Sequence, residues 1–377
     1  MNGKKTIIIP HGFEPNYTIG FVRGLAANDI SPLVISSDID QERLLRNDIE
    51  NINLRGSQDP SRPLIKKFAN ILRYYFRLAA FLLRHRGNIV HFTGIFGNRF
   101  ILFDGIIFNL FLKLISRRYI YTVHNVLPHN KENSGFYKLA YRWIYIVPDV
   151  LVVHTGRAKE QLVRDFLVPR EKIFVISIGL NEEVPHTNMS RKEARERLGL
   201  SLEDNVILFF GKADEYKGLD VLVKAFTSLN LTSKKLLISA WFPNSGYRQK
   251  IVSEIGLSDC KNDILLHEGF IPNRDIEIFF KSADLLALPY RDIYQSGVLF
   301  LALSFGLPVL ATDVGSFRDY IEEDMGIIVN DNGVKQVTNG IERFFEAKNK
   351  FKRCRIIRRA QKYRWDKVCR ALMALYA

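Results

Sequence analysis

Gly211-Lys212-Ala213-Asp214-Glu215-Tyr216-Lys217-Gly218-Leu219-Asp220 follows directly on Val206-Ile207-Leu208-Phe209-Phe210. A wholly apolar run of five residues reads as a buried strand, and the glycine that ends it admits a sharp turn. Gly218 then opens an apolar-periodic segment, 219–229, that reads as a helix. Strand, glycine turn and helix in that order form the unit of a doubly wound parallel sheet. Free amides at the helix start, with Lys212 and Lys217 around the loop, suit a diphosphate. An ordinary strand–loop–helix with two solvated lysines fits the fragment equally well.

A second stretch repeats the theme. Leu285-Leu286-Ala287-Leu288 is again a buried strand, and Pro289-Tyr290-Arg291 leads to Gln295-Ser296-Gly297 at the start of an apolar helix to Phe305. Ser296 and Gln295 are good capping types, and Gly297 offers an amide that a phosphate can approach closely. Gly306-Leu307-Pro308 breaks the helix before a strand at 309–311 and the turn Thr312-Asp313-Val314-Gly315. A structural reading needs only the caps.

Outward from these stretches, apolar runs recur at 6–9, 33–36, 89–92, 119–123, 150–153 and 173–177, then at 206–210, 235–240, 264–267, 285–288, 309–311 and 326–329. Segments of helical period lie between most of them, as at 65–84 and 135–146. That alternation predicts parallel sheets with right-handed crossovers. It pauses over the polar stretch 179–204, where Ser190 caps a short helix ended by Gly199. A chain of 377 residues exceeds one ordinary core. The expected fold is α/β, two Rossmann-like domains facing across a cleft: residues 1–180, residues 181–350, and C-terminal helices 351–377 crossing back to the first domain. Ligands are expected at the carboxyl ends of the strands and between the domains.

Composition narrows the class. With 47% hydrophobic and 25% charged residues the chain is globular. Cys260, Cys354 and Cys369 show no metal-ligand spacing and read as buried packing residues in a reducing compartment. The apolar run 6–9 is too short for a secretory core. The stretch 100–116, interrupted by Asp104, Asn109 and Lys113, falls short of the roughly 20 apolar residues of a span. A cytoplasmic location is expected.

The net charge of +14 is uneven: residues 1–180 hold 25 cations against 14 anions, residues 181–377 hold 29 against 26. Such a face points to an anionic partner. Lys66, Lys67, Arg73, Arg77 and Arg84 stand among aromatic and aliphatic residues on one helical segment, the composition of a helix lying on an anionic membrane. A domain helix with its cations in water fits as well. No nucleic-acid motif is present, so a basic nucleic-acid-binding protein would account for the charge alone.

The order Gly211-Lys212, Lys217-Gly218, Gly269-Phe270-Ile271-Pro272, Pro289-Tyr290, Ser296-Gly297 and Gly306-Leu307-Pro308-Val309 with Gly315 resembles the donor domain of the family 4 glycosyltransferases. Tyr363-Arg364-Trp365-Asp366 and the helix to Tyr376 resemble that family's closing helix. The resemblance implies a two-Rossmann GT-B architecture. It also implies transfer, with retention, of a sugar from a nucleotide diphosphate sugar to a glycan. By it, Lys212 and Lys217 match the basic pair on the donor diphosphate, where lysine for the commoner arginine keeps the charge and loses the fork. Gly269, Phe270, Ile271 and Pro272 match the loop along the nucleobase. Tyr290, Gln295, Ser296 and Gly297 match the turn beside sugar and phosphate, with Gly211 at the strand end. The family's two glutamates eight positions apart are here Ile293 and Leu301, so the chain reads as a Gln-Ser-Gly variant and the stereochemical outcome stays open.

In the first half, His124 at a strand end resembles the family histidine that faces the donor sugar; His129 and His154 are weaker candidates. Gly12, in Pro10-His11-Gly12-Phe13, resembles the first glycine loop near donor and acceptor. No metal or other cofactor is expected: Asp38-Ile39-Asp40 fits the metal-binding Asp-x-Asp of the other main glycosyltransferase fold, yet it reads as a solvated loop. The resemblance implies a polyprenyl-linked acceptor, surface-polysaccharide assembly and a peripheral place at the inner face of the membrane. A nucleotide-sugar 2-epimerase of the same fold is the alternative enzyme, and it would need acids and histidines clustered for proton transfer.

Overall fold

The computed structural model describes residues 5–10, 15–59, 61–94, 101, 103–127 and 135–377. The chain divides into two compact units, Met1–Gly179 with Tyr363–Ala377, and Leu180–Lys362.

Among the described residues the first unit holds seven parallel strands: β1 (Thr6–Ile9), β2 (Pro32–Ser36), β3 (Asn51–Asn53), β4 (Ile89–Phe92), β5 (Arg118–Val123), β6 (Val150–Val153) and β7 (Ile173–Val175). Their order is β3-β2-β1-β4-β5-β6-β7. All but β3 coincide with the apolar runs, because a strand covered on both faces is apolar throughout. β3 escapes that signal. It is an edge strand whose Asn51 accepts a hydrogen bond from Ser36 and whose Asn53 donates to Asp38.

On this sheet the helix Pro15–Ala26 packs against Trp365. A Cβ on Gly20 or Gly179 would overlap the Trp365 indole, so two absent side chains make its socket, and a Cβ on Gly24 would overlap the Trp365 backbone and the Cys369 sulfur. Asn28 reinforces the joint by donating to the Asp366 carbonyl at 2.8 Å. The return to the first unit begins at Tyr363 rather than at 351. The preceding helix Arg353–Ala360 stays with the second unit, where the Arg353 guanidinium donates to the Ala283 carbonyl and Gly306 lies against the Arg353 backbone.

The second unit holds β8 (Asn205–Lys212), β9 (Lys234–Trp241), β10 (Ile264–Glu268), β11 (Leu285–Leu288), β12 (Val309–Thr312) and β13 (Gly326–Val329), all parallel, in the order β10-β9-β8-β11-β12-β13. The helix Arg191–Arg197, opened by a reciprocal Ser190–Glu193 capping box, belongs to this core. Arg195 is fully buried and bound by Asp284 at 2.9 Å and by the carbonyls of Ser201, Leu202, Asp204 and Ser282. Of the cysteines, Cys369 is buried, Cys260 part-buried and Cys354 exposed, so Cys354 is not a packing residue. Among the described residues no helix is long and apolar enough to cross a membrane.

Candidate donor site and histidine cluster

In the second sheet the strand order reverses between β8 and β11, the place where doubly wound sheets bind ligands. The two stretches singled out in the sequence leave the carboxyl ends of these two strands. Gly218 (φ 66°) lets them meet: a Cβ there would overlap the Pro289 carbonyl. The Arg291 amide donates to the Tyr216 carbonyl at 2.7 Å and closes the joint.

Lys217 ends a single 3₁₀ turn, Glu215–Lys217, and is only 8% exposed. Its ammonium has no hydrogen bond or ion pair among the described residues. It lies 5.5 Å from the centroid of the Tyr290 ring. A Cβ on Gly211 (φ 103°) would stand 3.6 Å from the Lys217 Nζ and 3.6 Å from a Val298 methyl. Gly211, Lys217, Tyr290 and the first turn of the helix Gly297–Ser304 therefore converge. Burial lowers the Lys217 pKa, opposed by Tyr216 and Asp214 and reinforced by Lys212.

Lys212 is placed differently. Its side chain is 39% exposed, its Nζ is 2.8 Å from Asp214, and it stands 6.0 Å over the Trp241 ring.

Ser296 heads the helix Gly297–Ser304 but makes no capping bond, so its role as a cap is not seen and the first amides are left uncapped by side chains. The Gln295 Oε1 is buried without a hydrogen-bond partner among the described residues. The loop holding them is fixed from below: Thr312 donates to the Tyr290 carbonyl at 2.6 Å and Ser316 to the Tyr294 carbonyl at 3.0 Å. Ile293 and Leu301 are buried, and Gly315 lies against the Ile293 carbonyl, which makes both apolar packing positions.

Asp220 is the unforeseen member of this region. Arg291 (2.8 Å), Lys250 (2.9 Å) and Tyr247 (3.1 Å) surround its carboxylate. Burial raises its pKa, but the hydrogen bonds from Arg291 and Lys250 outweigh that and hold it well below the usual range. Both Asp220 and Arg291 stand inside the two stretches, though nothing in their spacing announces that they pair. Gly269 (φ 122°) follows β10, Phe270 is exposed, and Pro272 precedes the helix Asn273–Ser282. No described contact brings Phe270 or Ile271 to Lys217.

In the first unit, His91, His124 and His154 gather beneath the helix Pro15–Ala26. His124 follows β5, meets the Tyr17 ring edge-on at 4.9 Å, and lies 5.3 Å from His154. His91, within β4, is fully buried, with Nδ1 2.5 Å from the Tyr376 hydroxyl and Nε2 2.6 Å from the Thr122 hydroxyl. Burial pushes all three below the ordinary range, His91 to about 3 and His124 to about 4, and the Thr93 backbone partly offsets this at His124. All three are neutral imidazoles near pH 7. His91 carried no sequence signal, since its partner lies at the far end of the chain. Gly12 and His129 lie outside the described residues. Asp38 accepts from Asn53 and Asp40 from Ser37, and among the described residues no cluster of metal-ligating side chains forms.

Two family descriptions match in tandem: "Glycosyltransferase Family 4" over residues 15–184 and "Glycosyl transferases group 1" over residues 190–363. Together they take in nearly the whole chain. The chain belongs to the family 4 glycosyltransferases. Among related family members, D-inositol 3-phosphate glycosyltransferase of Xylanimonas cellulosilytica is 25% identical over 237 residues, 61% of this chain and 57% of that protein. The putative teichuronic acid biosynthesis glycosyltransferase TuaC of Bacillus subtilis is 25% identical over 61% of this chain and 52% of its own length. The chain thus matches less than two thirds of the length of these relatives. In three dimensions, Anabaena HepE, solved in complex with UDP-glucose, is similar with a TM-score of 0.74 at 14% identity, covering 98% of this chain and 99% of that one. That likeness is one of fold, the GT-B architecture of this glycosyltransferase family.

Proposed function

We propose that this family 4 glycosyltransferase moves a sugar from a nucleotide diphosphate sugar to a lipid-linked glycan in surface-polysaccharide assembly, with retention of configuration. The observation that carries the reading is Lys217, a cation almost without solvent and, among the described residues, without an ion pair, at the switch point of the second sheet. Removing a charge from water is costly unless a partner replaces the water. A diphosphate would be that partner.

In this reading Lys217 offsets the charge that develops on the leaving diphosphate, Lys212 adds to it from the rim, and the uncapped amides of Gly297 and Val298 donate to the phosphate oxygens. Gln295, Ser296 and Tyr290 line the sugar side, and Gly269 to Pro272 the nucleobase. The bond from the anomeric carbon to phosphate breaks, the acceptor oxygen bonds on the same face, and its proton passes to the departing phosphate oxygen. His124, held neutral, orients the sugar. The lysines supply the charge in place of a metal. A UDP-glucose complex of a protein of the same fold and the naming of TuaC for teichuronic acid biosynthesis support the donor and product classes. The cations Lys66, Lys67, Arg73, Arg77 and Arg84 would hold the protein on the anionic inner face of the membrane, where a lipid-linked acceptor resides.

Thermal unfolding with UDP, GDP, ADP or dTDP, with and without EDTA, tests the donor site. A nucleotide at about a hundred times its dissociation constant adds roughly 2.7 kcal/mol. A shift with one nucleotide, unchanged by EDTA, is expected. No shift with any of them removes the proposed site.

A further inference from the structure

One residue, Arg291, grips the chain on both sides of Lys217. Before the lysine, the Arg291 Nη1 donates to the Glu215 carbonyl and the Arg291 amide donates to the Tyr216 carbonyl at 2.7 Å. After it, Nη2 donates to the two carboxylate oxygens of Asp220, at 3.0 and 2.8 Å, in the first turn of the helix Leu219–Ser228. A planar guanidinium fork can span a carbonyl and a carboxylate at once, which a single ammonium cannot. Between the two grips the chain is one 3₁₀ turn, Glu215–Lys217, and the left-handed Gly218. Such a turn has poor hydrogen-bond geometry and holds a fixed place only when its surroundings fix it.

Arg291 is anchored in its own right. Its neighbour Tyr290 sets a ring face 5.5 Å from the Lys217 Nζ, and the Tyr290 carbonyl accepts from Thr312 at the end of β12. Asp220, its side chain only 7% exposed, neutralises Arg291, so the arginine is not a second free cation for a ligand. A site that works through one buried charge needs that charge held to about half an ångström by supporting residues. We infer that Arg291 is a positioning residue, whose fork, seated on Asp220, fixes the turn that presents Lys217 to a diphosphate. The inference rests on the reading of Lys217 as the diphosphate ligand. Lys250 supplies a comparison within the same cluster. It donates to the same carboxylate at 2.9 Å from the helix Ser245–Leu257 and, among the described residues, makes no bond to residues 215–217.

Titration calorimetry with whichever of UDP, GDP, ADP and dTDP raises the melting temperature tests this through a double-mutant cycle. Arg291→Gln is expected to weaken the nucleotide roughly tenfold, within the range of coupled neighbours. In a Lys217→Ala background the same change should matter less than about twofold, because the charge it positions is gone. Arg291→Lys keeps the ion pair without the fork, so it guards against loss of folding, and it should weaken the nucleotide about threefold with the same dependence on Lys217. Lys250→Gln should alter affinity by less than about twofold. Equal losses from Arg291→Gln with and without Lys217 overturn positioning, since the arginine then acts on the ligand or on the frame by itself. Unchanged affinity in both Arg291 variants overturns it as well. A loss at Lys250→Gln as large as that at Arg291→Gln also overturns it, because the charge balance of Asp220 would then matter and not the grip. Each of these leaves the reading of Lys217 standing; unchanged affinity in Lys217→Ala alone removes that reading and the positioning role together.

Discussion

His91 and Lys217 are both buried ionisable residues beside strand ends, one in each unit, and the fold treats them in opposite ways. His91 is neutral, and its two ring nitrogens are met by the hydroxyls of Tyr376 and Thr122. Lys217 is a cation for which the described residues supply a tyrosine ring face and neither a hydrogen bond nor an ion pair. A polar group satisfied by its own chain contributes to the fold, whereas one left unsatisfied is costly to it. The difference teaches where to look for the ligand: His91 is complete as it stands, and the lysine turn is not.

Lys217→Ala should break that contrast most sharply. Loss of one electrostatic donor typically lowers turnover by roughly 10²–10³, and steady-state kinetics with the donor identified by thermal shift would show it. A loss of only a few-fold ends the assignment. Stability of the nucleotide-free protein should move the other way. The folded-state pKa of Lys217 is lowered, so the unfolded chain binds the proton more readily, and stability rises with pH as it approaches the ordinary lysine value near 10.4. Lys217→Met should therefore match or exceed the parent in melting temperature near pH 7.

Gly218→Ala tests the frame rather than the charge. The position has a left-handed backbone, and an added methyl meets the Pro289 carbonyl, a backbone group of the adjoining loop. Strain and overlap together should cost about 2–4 kcal/mol by denaturant unfolding, with nucleotide binding weakened in parallel. Unchanged stability would mean that the two loops can separate freely.

The histidine cluster gives a pH dependence of known sign. His91, His124 and His154 all have folded-state pKa values below the ordinary 6.5, so their contribution is complete above that value and is lost as pH falls through it. Each protonation deferred in the native state steepens the fall by about 1.4 kcal/mol per pH unit. Melting temperature measured between pH 7 and 5 should drop steeply, and His91→Gln should flatten the slope by one proton's share. A flat profile would show that these rings titrate in the open.

Much of this contrast could not be read from sequence, for reasons that differ by residue. Twelve of the thirteen strands among the described residues announce themselves because doubly covered strands are continuous apolar runs; Asn51-Ile52-Asn53 does not, being a polar edge. Glycine positions such as Gly211 and Gly218 were legible because a chain that turns sharply after a buried strand requires them. The burial of Lys217 was not, since it depends on Tyr290, 73 residues later, arriving just after another strand. Nor was His91, whose partner Tyr376 is 285 residues away. The place of helix 353–360 in the second unit is not legible either, because its anchors, the carbonyls of Phe280 and Ala283, carry no side-chain signature.

The smallest effect is expected at Lys212, and it sharpens the contrast within one loop. The two lysines look equivalent as letters five positions apart. Lys212, though, is solvated and already neutralised by Asp214 at 2.8 Å, so a ligand must compete with that pair and gains little beyond it. A partly exposed pair of this kind is worth about 1 kcal/mol or less. Lys212→Ala should therefore lower turnover by a few-fold, against the hundredfold or more at Lys217. Equal losses at both positions would show that Lys212 leaves Asp214 and moves inward when the nucleotide binds. The Asp214→Asn variant would then raise donor affinity by freeing it.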